Sequence, residues 1–162
     1  MNDHIARMLN DAEERLHDAE ILATSLTGGS SSSLLLILAL EVLLKAAQYA
    51  EFGRYQPTHK YLDLWKSLPE NMRTNVLAIA AERFAGHVDL TDVEALMNDW
   101  HHAFTKGRYY FEIYEGCSYA EQRDIGESWL ARGAPDQEAA VRFHPMELAA
   151  VTEGLIVAIE GK

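Results

Sequence analysis

Apolar residues return every three or four positions along most of this chain, and no stretch alternates apolar with polar as a strand would. Ile5, Leu9, Ala12, Leu16, Ala19, Ala23 and Leu26 form the first series and predict an amphipathic helix from about Asp3 to Leu26. The tract TGGSSSS interrupts it. Its glycines end one helix, and a serine at Ser31 to Ser33 is placed to cap the next. A Leu-rich helix then runs to about Phe52, where GRYQPTH breaks the pattern with Gly53 and Pro57. HKYLDLWKSL predicts a short helix. SLPENMRTNVLAIAAERFAG follows, with Ser67 and Glu70 at capping-box spacing and Pro69 near the first turn. Thr91 and Glu94 repeat that spacing ahead of a long helix from about Asp92 to Tyr114. Ser118 and Glu121 repeat it once more, before a segment that dissolves at Gly133, Ala134 and Pro135. The last helix is expected from near Pro145 to near Glu160. The pattern predicts an all-α fold, an antiparallel helical bundle with short connections.

Composition narrows what such a bundle could be. At 162 residues the chain fits a single domain that buries about 70 % of its unfolded surface. Its one cysteine, Cys117, excludes an internal disulfide and a cysteine-cluster zinc site, and reads as a loop or cap residue. The net charge of −11 argues against a broad nucleic-acid footprint, which draws on Lys and Arg, but leaves room for a local basic pocket. A membrane-spanning helix needs about 20 apolar residues. The aliphatic run from Leu34 to Leu40 meets Glu41 after seven, and the N-terminus lacks a basic-then-apolar start. A soluble, cytoplasmic protein is the expectation.

Charge inside the greasiest helix is the feature that asks for chemistry. Glu41, Lys45 and Gln48 are spaced four and three apart and form one polar row. This row is either a narrow strip facing solvent or one wall of a cleft shared with another helix. A helix apolar on nearly all sides belongs at the centre of a bundle, which favours pursuing the cleft. A partner row is present on the long helix. There Val93, Met97, Trp100, Phe104, Gly107, Phe111 and Tyr114 make the apolar stripe. His101, Arg108 and Glu112 fall within about 40° of one another at its edge. An imidazole, a guanidinium and a carboxylate on one ridge can bind an anion or move a proton. They can equally be a solvated edge held by an Arg–Glu pair.

Metal and phosphate-loop chemistry are not indicated. Glu14 with His17, and Asp99 with His102, have the i, i+3 spacing of bundle di-metal sites, yet Glu14 and His102 point away from their apolar stripes. GGSSSS lacks the Lys-Ser/Thr of a P-loop, and no cofactor is implied.

The stretch LALEVLLKAAQYAEFGRYQPTHKYLDLWKSLP resembles the core of the HEPN superfamily of small all-α domains. In that family an apolar helix with a Glu-x-x-x-Lys-like segment leads through a loop into a THxLxxLxxxLP-like short helix. Here those positions are Glu41, Lys45, Thr58, His59, Leu62, Trp65 and Leu68. AFTKGRYYFE is similar to the Arg-Tyr segment of a following helix, matched by Arg108 and Tyr109. The resemblance covers about residues 5–115, leaving about 117–162 as a C-terminal helical extension to a four-helix core.

The likeness implies nucleotide binding, RNA cleavage, or a place in toxin–antitoxin and defence systems, often as a homodimer. Catalytic members carry Arg-x(4–6)-His on a late helix and make a metal-independent RNase site. The literal match here, Arg54 to His59, lies in the loop before the short helix, and on the long helix the order is inverted, His101 before Arg108. The leading expectation is therefore a dimeric module binding a nucleotide, an RNA end or a cognate toxin or antitoxin. Glu41, Lys45, His101, Arg108, Tyr109 and Glu112 would line its site. Arg108 would hold phosphate, and Tyr109 or Tyr110 could stack on a base if the helix turned them inward. One alternative is a non-catalytic protein-interaction module using Trp129 and Phe143 as anchors. The other is an endoribonuclease drawing on Arg54, His59, His101 or Arg108.

Overall fold

The computed structural model describes residues 2–24, 29–135 and 138–162. Among these the chain forms eight helices and no strand. They are α1 (Asp3–Thr24), α2 (Gly29–Phe52), α3 (Tyr61–Ser67), α4 (Glu70–Arg83), α5 (Val93–Gly107), α6 (Tyr110–Ile113), α7 (Tyr119–Ala131) and α8 (Pro145–Glu160). The all-α expectation holds.

α2 is the axis of the bundle, and its composition explains why. Ile37, Leu40, Leu43 and Leu44 supply bulk while Ala39, Ala46 and Ala47 let neighbours approach, and all seven are buried. α1, α3, α5 and α8 each pack on it. By length and composition the stretch from Ser31 to Phe52 could cross a bilayer; 50 % of it is buried within its own chain, and Glu41 interrupts it midway. α1 runs antiparallel to α2, since His4 near its start meets Tyr49 near the end of α2. α5 is also antiparallel to it, with Gly107 beside Leu34.

α8 completes the core although it comes last. Leu148, Val151, Leu155 and Ile159 are buried along one side, and the helix lies against α4 and α2. Gly154 permits that approach. A Cβ there would sit 2.5 Å from the Val76 carbonyl oxygen, a backbone atom of α4 that cannot step aside. Gly154→Ala should therefore lower stability by about 1–3 kcal/mol in urea unfolding, despite alanine's better helix propensity. Gly107→Ala is the control. Its Cβ would meet only the flexible end of Leu34 at 3.2 Å, so the propensity gain should leave it neutral or slightly stabilising. Equal losses in the two variants would contradict this account of the α4–α8 contact.

Several expected boundaries moved, each for a local reason. The first helix was expected to reach Leu26, which lies outside the described residues. The serines at 31–33 do not cap α2. The helix already begins at Gly29, so they lie inside its N-terminal end. Ser67 does not cap α4 either. Pro69 holds Leu68 extended (ψ 145°), so Ser67 closes α3, its hydroxyl donating to the Leu64 carbonyl, and Pro69 stands at the start of α4. α5 is capped by Asp92, whose side chain accepts from Ala95 N, and not by Thr91. The Ser118–Glu121 capping box forms as read.

The largest correction concerns the long helix, which does not run unbroken to Tyr114. It ends at Gly107, Tyr109 leaves the helical region, and a single turn, α6, follows. Glycine's low helix propensity makes that the natural point of breakage.

Candidate functional site

Glu41 is placed by α2 where water scarcely reaches it, at 7 % exposure. Its Oε1 accepts from Lys45 Nζ at 2.8 Å, one turn along the same helix, and lies 2.8 Å from His59 Nδ1. The row is thus not a strip facing solvent. It lies beneath the loop that leads from α2 to α3. A carboxylate only accepts, so Nδ1 of His59 carries the proton, and the neutral ring then keeps its lone pair on Nε2. The His59 side chain is 66 % exposed, which leaves an imidazole anchored from below and open above. Glu41 Oε2 is buried with no hydrogen-bond partner.

Gln48, the third member of the row, has a structural role. It is buried, donates to the Leu64 carbonyl at 3.1 Å, and accepts from Gln56 N at 2.8 Å. One amide thereby ties the loop down onto α2 and α3. That fastening holds the segment that carries Arg54, Tyr55 and His59 against α2.

Tyr61 of α3 packs against the second row. This side chain is fully buried and donates its hydroxyl to the Ile37 carbonyl at 3.1 Å. Its pKa is raised, first by burial and then by the nearby charge of Glu41, while Arg108 pulls it down. His101 packs edge-on to the Tyr61 ring, centroids 5.8 Å apart, and its Nδ1 is buried without a hydrogen-bond partner. Arg108 lays its guanidinium over the Phe104 ring, 4.3 Å from the centroid. Because α5 ends at Gly107, Glu112 sits on α6 and shares no continuous helical ridge with His101 and Arg108. Tyr109 is exposed, 6.3 Å from Phe111.

The other sequence candidates resolve simply. Asp99 pairs with His144 at 3.0 Å, not with His102. Among the described residues no group of three or more His, Cys, Asp or Glu gathers as a metal site would require. Cys117 is free and exposed. Trp129 donates to the Pro135 carbonyl and Phe143 packs against the core, so both are engaged within the chain.

Three residues next to the Glu41–Lys45–His59 cluster escaped the sequence reading. Tyr55 lies 5.9 Å from Lys45 Nζ, measured to the ring centre. His4 of α1 packs on Tyr49 of α2, centroids 4.4 Å apart, and is parallel to Tyr55 at 6.5 Å. Periodicity could have placed Tyr49 one turn beyond Lys45. Nothing in the pattern ties residue 4 to residue 55. A hollow of about 400 Å³ opens beside them, lined by Gln48, Phe52, Arg54, Tyr55, Gln56, Pro57 and Ser67. A broader depression of about 730 Å³ along α4 contains one ionisable side chain, Glu70, and none of these groups.

The loop between α2 and α3 is locally basic, as is the stretch from His101 to Phe111, which carries His101, His102, Lys106 and Arg108 and no acid. The segment Arg54 to Lys60 contains Arg54, His59 and Lys60 and no acid, on a chain of net charge −11. With Glu41 neutralised by Lys45, an anion approaching the loop meets excess positive charge. No family model, no curated protein and no solved structure matches the chain.

Proposed function

We propose that the chain is a HEPN-like module that binds a nucleotide- or RNA-type anion over the loop between α2 and α3. The observation that carries this reading is the Glu41 carboxylate holding Lys45 and His59 at 2.8 Å each beneath an acid-free, basic loop. A buried carboxylate is expensive to keep. Here it orients an exposed imidazole whose free nitrogen can donate to phosphate when protonated. Arg54 adds a guanidinium suited to the same group.

The test is equilibrium binding of AMP, GMP, their triphosphates and short single-stranded RNAs at low salt. Arg54→Ala and His59→Gln should each weaken binding about tenfold, the scale of one lost charge-assisted contact. A parallel loss in Arg108→Ala would extend the site to the second row, and an unchanged Arg108→Ala would confine it to the loop. If no member of the panel binds, the reading falls.

The orientation of His59 by a carboxylate also favours a second reading, metal-independent RNA cleavage, since a fixed imidazole can act as general acid or base. The same variants assayed in EDTA separate the two. Turnover abolished by His59→Gln supports cleavage, and binding without turnover supports the binding module alone.

A further inference from the structure

The rings of His4 and Tyr55 are parallel, with an interplanar angle of 0° and centroids 6.5 Å apart. Stacked bases rise about 3.4 Å per step, so a flat ring held on both faces needs walls about twice that distance apart, and the 6.5 Å between centroids is the most by which these two parallel planes can be separated. The geometry points to a slot between His4 and Tyr55 that takes the base of a nucleotide, with its phosphate carried to Lys45, His59 and Arg54. This deepens the function proposed above and rests on it for the phosphate.

Three features make the slot more than a pair of rings. Its back wall is supported, because Tyr49 packs on His4. Its front wall is reachable, because Tyr55 is 45 % exposed on a loop fastened by Gln48. Its neighbour is charged, because Lys45 Nζ lies 5.9 Å from the Tyr55 ring and 2.8 Å from the carboxylate that holds His59. A ligand that is flat at one end and anionic at the other matches that order of groups. Every base has a π-face, so the slot tolerates different bases and selects for the presence of a ring.

The experiment compares AMP, ribose 5-phosphate and adenosine by calorimetry, with NMR of the adenine protons. The intact protein should bind AMP about tenfold or more tighter than ribose 5-phosphate, the scale of base–aromatic stacking. On binding, the adenine H2 and H8 resonances should move upfield. Tyr55→Ala and His4→Ala should bring AMP down to the ribose 5-phosphate level, leave ribose 5-phosphate unchanged and remove the upfield shift. Tyr55→Phe should retain all three properties. AMP and ribose 5-phosphate binding equally, with Tyr55→Ala neutral, would overturn the slot and leave the phosphate site standing. Adenosine binding that Tyr55→Ala abolishes, without a contribution from phosphate, would keep the slot and remove the anion reading. Failure of all three ligands would overturn both.

Discussion

Trp100→Ala should cost about 3–5 kcal/mol of folding stability, the range for emptying a buried large aromatic site. Trp100 is fully buried on α5, and its indole N–H donates to the Phe143 carbonyl at 2.7 Å. Truncation would open a cavity beside Met97 and Phe104. It would also release the strand of chain that carries Phe143 and His144 into α8. A typical domain has about 5–15 kcal/mol in total, so the variant should unfold at a much lower urea midpoint. Trp100→Phe keeps most of the volume and loses the hydrogen bond, and should fall between the two. A loss below about 1.5 kcal/mol for the alanine variant would mean that the residue is not packed as described.

The second large effect concerns the buried charges. Lys45→Met should destabilise by about 3 kcal/mol, the lower end for stripping a partner from a buried ion pair. Lys45 retains 14 % exposure, which keeps the figure at that end. Glu41 would be left with His59 as its only counter-group and with Oε2 still unsatisfied. The double variant Glu41→Leu with Lys45→Met should recover most of the loss, because apolar replacements of a buried pair are commonly neutral or stabilising. The pair would then be dispensable for folding, while ligand binding in the double variant should be lost with the anchor of His59. A single-variant cost of a few tenths of a kcal/mol, as for an exposed i, i+4 pair, would return Glu41 and Lys45 to the status of a surface strip.

How far the sequence could be read depended on the range of each interaction. Helix identity was legible because the apolar repeat is local. α8 was placed from Pro145 to Glu160 on that basis, and the Ser118–Glu121 box formed as expected. Starts and stops were less legible where one residue satisfied two rules. Ser67 fits a capping box, yet Pro69 two positions on decides that it ends a helix. Gly107 fits the apolar stripe of α5, yet it also ends it.

In the candidate site, Glu41 and Lys45 were visible because they share a helix face. That Gln48 fastens the loop, that His59 reaches back to Glu41, and that His4 faces Tyr55 are contacts across 8, 18 and 51 positions. No repeat along the chain encodes such distances. The placement of Asp99 shows the same limit. The i, i+3 spacing put His102 within reach, its direction away from the apolar stripe set it aside, and the fold supplied His144 from 45 positions away.

The position of α8 has a consequence for synthesis in the cell. Its partners α2 and α4 emerge from the ribosome roughly 100 and 70 residues earlier, at about 5–20 residues per second. For several seconds the nascent chain must therefore carry an uncovered groove around Val76 and the aliphatic flank of α2. Translation halted between Arg83 and Pro145 would leave a sticky intermediate, a natural client for a chaperone. A separately supplied peptide spanning 145–160 should rescue it by taking the seat of the missing helix.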